Sequence, residues 1–179
     1  MVFSSYTFLF YFLPPLLILY YLIPRRSLGG RNLVLLAFSL FFYFAGGPRH
    51  LPLMLLSIAI NYVGGLLCAK RRRWALVLTM AVNLGLLGWF KYAGFVGENL
   101  QALGLPLSVP EVVLPIGISF FTFQGMSYVI DVYRGDTPPA KNPLQVALYI
   151  ALFPQLVAGP IVRYTTVAEE LVSRRETFD

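Results

Sequence analysis

The 179-residue sequence is 58% hydrophobic, carries charges on 12% of its residues and has a mean hydropathy of +0.70. Soluble domains carry about 25% charged residues, so this composition excludes an ordinary soluble fold. The net charge of +6 does not indicate nucleic-acid binding, because the basic residues are confined to short gaps between apolar runs. The single cysteine, Cys68, excludes a disulfide within the sequence and a paired-cysteine metal site. We expect an integral membrane protein without a metal centre.

Four apolar runs fill the first half of the chain, at residues 6–23, 33–45, 51–69 and 74–90. A helix needs about 20 such residues to span a bilayer, so each run predicts one crossing. The pair Pro14-Pro15 predicts a kink in the first run because proline lacks a backbone donor. The second run is short and is expected to include flanking residues. The brief basic gap at 70–73 predicts that the third and fourth helices form an antiparallel hairpin.

The second half of the chain is less regular. Residues 93–111 are rich in Gly, Pro and Asn, and we expect them to connect two spans outside the membrane, with a short interfacial helix. A fifth apolar run covers 112–130, and a polar loop covers 131–142. The sixth run, 144–162, is interrupted by Pro154, Gly159 and Pro160, and an amphipathic surface helix is expected after it. The predicted fold is all-α, a polytopic transmembrane helix bundle with five to six hydrophobic elements, some of them kinked or re-entrant.

The distribution of basic residues predicts the orientation of this bundle. Three arginines at 25–31 follow the first run and four basic residues at 70–73 follow the third, whereas the gap between them holds only Arg49. Cytoplasmic loops of membrane proteins are enriched in Lys and Arg. The first and third gaps are therefore predicted to be cytoplasmic, which places the N-terminus on the extracytoplasmic side.

Two asparagines lie inside the predicted hairpin. Asn61 and Asn83 are 11 residues on either side of Arg72, so they are expected at similar depth in the membrane. A buried amide in lipid needs a hydrogen-bond partner, and an interhelical bond of this kind contributes about 0.6 to 2 kcal/mol. We expect the two amides to join the third and fourth helices. The alternative is that one of them lines a substrate path.

The sequence holds none of the common catalytic motifs. It has no glycine-rich phosphate loop, no HExxH metal site and no nucleophile elbow. Its one histidine, His50, follows a tight turn at 46–49, and a general base needs an orienting partner and a pocket. His50 is therefore interpreted as a turn residue, and no catalytic residue is assigned.

Two irregular stretches, 114–135 and 152–164, place Pro and Gly beside Ser, Thr and Gln inside apolar runs. Such backbone is tolerated at membrane depth only where protein or a water-filled cavity surrounds it, which indicates a site. The candidate substrate-binding or funnel residues are the polar ones of these stretches: Gln124, Asp131, Arg134, Gln155 and Arg163. The pattern alone would also suit a transporter.

The same stretches closely resemble the membrane-bound O-acyltransferase family, and within it the branch of the bacterial alginate O-acetyltransferase membrane subunit. The resemblance covers essentially the whole chain and includes residues 1–5, the element Phe90-Lys91-Tyr92 and the segment 153–161. It implies transfer of acetyl groups onto hydroxyls of an exopolysaccharide such as alginate, in a bacterial inner membrane. It also implies an acyl donor such as acetyl-CoA or an acyl carrier, and periplasmic or cytoplasmic partner subunits.

Members of that family use a membrane-embedded histidine as general base, and no residue here matches its motif. Residues 1–179 are accordingly expected to be the N-terminal portion of a single acyltransferase domain, ending before the catalytic histidine and inactive alone. Asp131 and Asp136 are expected to be ion-paired to Arg134 in a loop, which would make them weak bases. The alternatives are a small membrane transporter and a non-catalytic membrane scaffold. The transporter is disfavoured because no ionisable residue lies clearly at mid-membrane.

Overall fold

The computed structural model describes residues 5–103, 113–158 and 162–174, and these ranges contain eight α-helices and no strand. A π-helical segment, Thr7–Phe12, leads into the first of them. The helices are α1 Leu13–Leu22, α2 Leu28–Gly46, α3 Leu51–Cys68, α4 Arg73–Ala102, α5 Ile118–Arg134, α6 Pro143–Ala151, α7 Phe153–Ala158 and α8 Tyr164–Ser173. Three segments are long and apolar enough to cross a membrane: Leu28–Gly46, Pro48–Cys68 and Arg73–Ala102. The predicted all-α membrane bundle is confirmed.

The proline pair changes the type of the first helix. The Leu13 N–H donates to the Phe8 carbonyl, five residues back, and α-helical bonding takes over from Leu13 onward. Pro14 and Pro15 have no N–H to continue the earlier pattern, so the hydrogen-bond spacing changes there. The predicted interruption of the first run is therefore a transition from π-helix to α-helix.

The second helix begins five residues before the apolar run does, as its short length predicted. Arg31 lies in the first turn of α2 and is buried. Its Nε and Nη2 atoms donate to the Ile23 carbonyl oxygen at 3.1 and 3.0 Å, and its guanidinium lies 4.9 Å from the ring centroid of Tyr20. These contacts satisfy the charge, so the arginine can sit inside the bundle.

Glycines let α4 and α5 pack closely against α3. A Cβ on Gly64 would lie 2.6 Å from Thr79 of α4, and one on Gly65 would lie 2.5 Å from the Tyr128 ring of α5. Small residues at helix interfaces allow such close backbone approach in membranes. Because Asn61 also bonds to Asn83, the register shows that α3 and α4 run antiparallel, as predicted.

Two predicted boundaries are wrong. The connection expected from residue 93 is helical through Ala102, because Gly94 and Gly97 cost only about 1 kcal/mol each in a helix and no proline intervenes. The resulting α4 has 30 residues and is about 45 Å long. The fifth helix begins at Ile118, after Gly117 adopts a left-handed conformation with φ +74, and not at residue 112. Residues 104–112 lie outside the described part of the chain.

One end of the bundle gathers the basic loops, and we call it the basic end. There the Arg71 side chain lies against Gly135, directly after α5. The Asn32 amide of α2 donates to the Leu171 carbonyl of α8 at 2.8 Å and accepts from Arg174 at 3.1 Å. The C-termini of α3 and α5, the N-terminus of α2 and all of α8 therefore belong to this end.

Candidate functional site

The sixth apolar run is folded as two short helices with a break between them. α6 ends at Ala151, Leu152 has an extended ψ of 113, and α7 starts at Phe153. Pro154 cannot donate to the Ile150 carbonyl, and its ring would clash there in a continuous helix. The Phe153 N–H freed by the break donates to Oγ of Ser39 on α2 at 3.3 Å. The prediction that this run is not one straight helix is confirmed.

This broken segment enters and leaves at the basic end. Asn142, just before α6, shares a cleft with Asn32 and Leu171, and Arg163, just before α8, shares another with Asp131. Between these points the chain reaches inward until Phe153 packs on three aromatic rings at centroid distances of 6.0, 5.3 and 5.7 Å, those of Phe8, Phe12 and Phe42. The predicted re-entrant arrangement is therefore present, although residues 159–161 lie outside the described ranges.

Two of the predicted site residues meet at the inner end of this segment. Nε2 of Gln124 on α5 donates to Oε1 of Gln155 on α7 across 2.7 Å. Gln124 is 1% exposed, and its own Oε1 has no hydrogen-bond partner within the described residues. Gln155 also lines an apolar cavity of about 420 Å³ between α1, α2, α6 and α8. Since Gln124 is ten residues before the end of α5, the amide pair lies about 15 Å below the basic end.

The other three predicted residues line one cleft of about 280 Å³ at the basic end: Asp131, Arg134 and Arg163. Both arginines are exposed, whereas Asp131 is 4% exposed. The prediction that a loop begins at residue 131 is wrong, because Asp131 and Arg134 belong to the last turn of α5. The helix continues until Gly135, whose φ of +85 is the left-handed conformation that ends helices.

The expected ion pairing of Asp131 with Arg134 is also wrong. The Asp131 carboxylate accepts a hydrogen bond from the Thr165 backbone N–H, and its Oδ2 has no partner in the described part of the chain. Within those residues it forms no salt bridge with Arg134, which points to solvent. Asp131 is instead buried between α5 and α8 and bonded to the backbone of α8, while the exposed Arg134 guanidinium acts on it only through its charge.

Three tyrosines lie between these two polar groups, and the sequence analysis did not identify them. Tyr128 accepts a hydrogen bond from the Ala140 N–H at 3.1 Å, and the Tyr149 hydroxyl donates to the Val162 carbonyl at 2.7 Å. The Tyr164 ring lies 4.7 and 5.1 Å from the rings of these two. The available signal was helical spacing, because Tyr128 lies four residues after Gln124 and three before Asp131, on one face.

The two asparagines form the interhelical pair that the sequence predicted. Asn61 Nδ2 donates to Asn83 Oδ1 at 3.0 Å, and Asn83 Nδ2 donates to Asn61 Oδ1 at 3.1 Å. Each amide also donates to a carbonyl one turn back, on Ser57 and Thr79 respectively. Their donors and acceptors are thus used within the bundle, which favours the structural role over a substrate path.

His50 lies far from both groups, at the opposite end of the bundle. It ends a short 3₁₀ helix, Pro48–His50, that follows Gly46, and Gly46 approaches Ile116 just before α5. Its Nδ1 lies 3.0 Å from where a Cβ on Gly47 would be, so the ring folds over its own turn. Among the described residues no carboxylate orients it, and the assignment as a turn residue stands.

Comparison with known proteins finds relatives that match this chain over essentially its whole length. It is 42% identical over 191 residues to the probable alginate O-acetylase AlgI of Azotobacter vinelandii, covering 100% of this chain and 38% of that protein. The corresponding protein of Pseudomonas syringae is also 42% identical, with 36% of it covered. The peptidoglycan O-acetyltransferase of Helicobacter pylori is 30% identical over 212 residues, covering 99% of this chain and 40% of the relative.

No family model and no solved structure matches the chain. The chain spans about two fifths of the length of the curated relatives it matches. The similarity nevertheless extends over the whole of this sequence, and it includes both irregular stretches that form the re-entrant site. The chain belongs to the membrane-bound O-acyltransferase family, in the branch of the alginate O-acetylases.

Proposed function

We propose that the complete protein is an integral membrane enzyme that transfers acetyl groups to hydroxyls of an exopolysaccharide such as alginate. The observation that carries this proposal is the 42% identity with alginate O-acetylases over the entire chain. The relative named for peptidoglycan modification supports the reaction class, since both names describe O-acetylation of a glycan-containing polymer. The identity of the polymer as alginate is a more specific proposal than the reaction class, and it follows the names of the more similar relatives.

Residues 1–179 contribute part of the wall of the membrane passage. The break between α6 and α7 lies at membrane depth, where irregular backbone is tolerated only if protein or water surrounds it. It holds Gln155 against Gln124, so two amide groups are available inside the bundle. We infer that these amides hydrogen-bond a polar reactant, because the unpartnered Gln124 oxygen has an unmet acceptor capacity.

The chemical step needs a base that these residues do not supply. A histidine elsewhere in the complete protein would take the proton of the acceptor hydroxyl while the hydroxyl oxygen attacks the acetyl carbonyl carbon. The bond from that carbon to the donor then breaks, and the donor leaves with the proton. We place the acyl donor, acetyl-CoA or an acyl carrier, at the cytoplasmic basic end and the polysaccharide on the other side. Partner subunits would deliver one or both in the bacterial inner membrane.

Complementation tests this function. The complete gene product would be expressed in an alginate-producing bacterium whose own O-acetylase is deleted, and acetyl esters on the secreted polymer would be quantified. We expect acetylation to return and to fall at least tenfold with Gln124→Leu, at equal protein level in the membrane. Gln101→Leu, at an exposed position on α4, is the control. Polymer that stays unacetylated despite normal membrane insertion would reject the proposal, and a change in polymer export alone would favour the transporter.

A further inference from the structure

The cleft at the basic end has a polar half and an apolar half on the same helix. Asp131 and Arg134 occupy the last turn of α5, and Arg163 faces them from the start of α8. The rest of the lining extends along one face of α5, away from the basic end, and consists of Ile130, Ser127, Met126 and Phe123. Phe123 is 41% exposed, so this face is open to an amphiphilic molecule.

The length of this face matches half a bilayer. Phe123 lies eleven residues before Arg134, which corresponds to about 16 Å along the helix axis. The hydrocarbon core is about 30 Å thick, so one leaflet is about 15 Å deep. A molecule with its charged group at Arg134 would therefore have an acyl chain beside Phe123.

The charged residues of the cleft indicate which kind of headgroup the ligand carries. Arg134 and Arg163 present exposed guanidinium groups, which favour a phosphate. A simple anion would also meet the buried Asp131 carboxylate, whose Oδ2 lacks a partner in the described chain. A simple cation would meet the two arginines. The complementary ligand carries a phosphate and, a few bonds away, a cationic hydrogen-bond donor.

We propose that this cleft binds one glycerophospholipid with a phosphoethanolamine headgroup. Its phosphate lies between Arg134 and Arg163, and its ammonium donates to Oδ2 of Asp131. One acyl chain packs along Ile130, Met126 and Phe123. This lipid site goes beyond the proposed acetyl transfer and does not depend on it, because every group it uses is on α5 or at the N-cap of α8.

Lipid retention measures the proposed selectivity. The complete protein would be purified from micelles containing equal amounts of three lipids, and the bound lipid would be counted by native mass spectrometry. Phosphatidylethanolamine is expected to be retained at least fivefold over phosphatidylcholine, which has the same phosphate and charge but no N–H donor. Phosphatidylglycerol, which lacks the cation, should also be retained less.

Variants locate the selectivity in the cleft. Asp131→Asn should remove the preference for phosphatidylethanolamine over phosphatidylcholine, and the double variant Arg134→Gln, Arg163→Gln should lower retention of all three lipids. Asp136→Asn and Arg72→Gln are exposed charge controls at the same end, and should behave as wild type. If Asp131→Asn does not fold, wild-type protein with N-methylated and N,N-dimethylated phosphatidylethanolamine gives the same test, since retention should fall as donors are removed.

Four outcomes would overturn the assignment. Equal retention of phosphatidylethanolamine and phosphatidylcholine would remove the role of the ammonium donor. Unchanged selectivity in folded Asp131→Asn would place the lipid elsewhere. Displacement of phosphatidylethanolamine by coenzyme A or inorganic phosphate would show that the cleft takes a soluble phosphate compound. An absence of any retained lipid, with acetylation intact, would indicate that another part of the complete protein covers this face.

Discussion

Asn61 and Asn83 exchange two hydrogen bonds across α3 and α4, at 3.0 and 3.1 Å, with side chains that are 0% and 1% exposed. Asn61 also contacts Gly125 of α5, where a Cβ would overlap its amide. Three helices therefore meet at one amide pair, and the pair sets their relative depth. The first prediction concerns the strength of this contact.

We expect Asn61→Ala and Asn83→Ala to show coupling of about 0.6 to 2 kcal/mol in a double-mutant cycle, the range for interhelical amide bonds in membranes. Unfolding of the purified protein in mixed micelles measures it. Asn99→Ala is the matched control, because Asn99 is exposed and its side chain donates to the Phe95 carbonyl of its own helix; its cost should stay below about 0.5 kcal/mol. Additive effects of the two substitutions would contradict the pairing.

A second prediction separates two glycines by their surroundings. Gly65→Ala should destabilise the protein by about 1 to 3 kcal/mol, because the new Cβ would lie 2.5 Å from a Tyr128 ring that is fully buried and held by Ala140. Gly85→Ala should be neutral or stabilise by up to about 1 kcal/mol, since nothing lies within 4 Å of its Cβ position on α4. Thermal unfolding of both variants gives the comparison, and equal effects would refute the close packing of α3 on α5.

A third prediction concerns orientation. In a Cys68→Ala background, Ser4→Cys should react with an impermeant thiol reagent added outside intact cells, and Ser27→Cys should react only after the membrane is opened. The native Cys68 is fully buried, so its removal is a precaution against background labelling. Labelling of Ser27→Cys alone in intact cells would reverse the proposed topology.

A fourth prediction concerns activity. Purified residues 1–179 should transfer no acetyl group from acetyl-CoA to alginate, because His50 lies over its own turn at the end opposite the polar groups. His50→Ala in the complete protein should leave acetylation within about twofold of wild type. A positive control is the complete protein in the same detergent. Acetyl transfer by residues 1–179 that disappears with His50→Ala would contradict both the assignment of His50 and the location of the base.

The features that sequence predicted well depend on local chemistry. Helix breaking near Pro154 follows from the missing N–H of proline, and the hairpin at 70–73 follows from the length of the gap. The depth of Asn61 and Asn83 followed from counting residues from a shared turn. These arguments need only neighbours along the chain, and the structure confirms them.

The features that sequence could not predict depend on packing between distant elements. Asp131 was predicted to lie in a loop because charged residues usually lie outside the membrane. In the structure α8 packs against α5 and buries the Asp131 carboxylate against Thr165. The extension of α4 through Gly97 was missed for a different reason, because glycine lowers helix propensity without excluding a helix. The five candidate residues were chosen as one funnel, yet seven residues, or about 10 Å, separate Gln124 from Asp131 along α5. Their role as substrate contacts remains a prediction.

The break at Leu152 has a consequence for how the chain is threaded through the bilayer. A hydropathy count treats the sixth run as a crossing, which would assign Arg163 and everything after it to the face opposite Asn142. Because α6 and α7 turn back, the crossing number does not change between these residues. The nine residues of α6 are too few to be held by lipid alone. This segment can therefore pack only once its contacts are in place, which are Ser39 and Phe42 of α2 and Phe8 and Phe12 of the N-terminal π-helical segment. The order of helices in the sequence thus becomes an order of assembly.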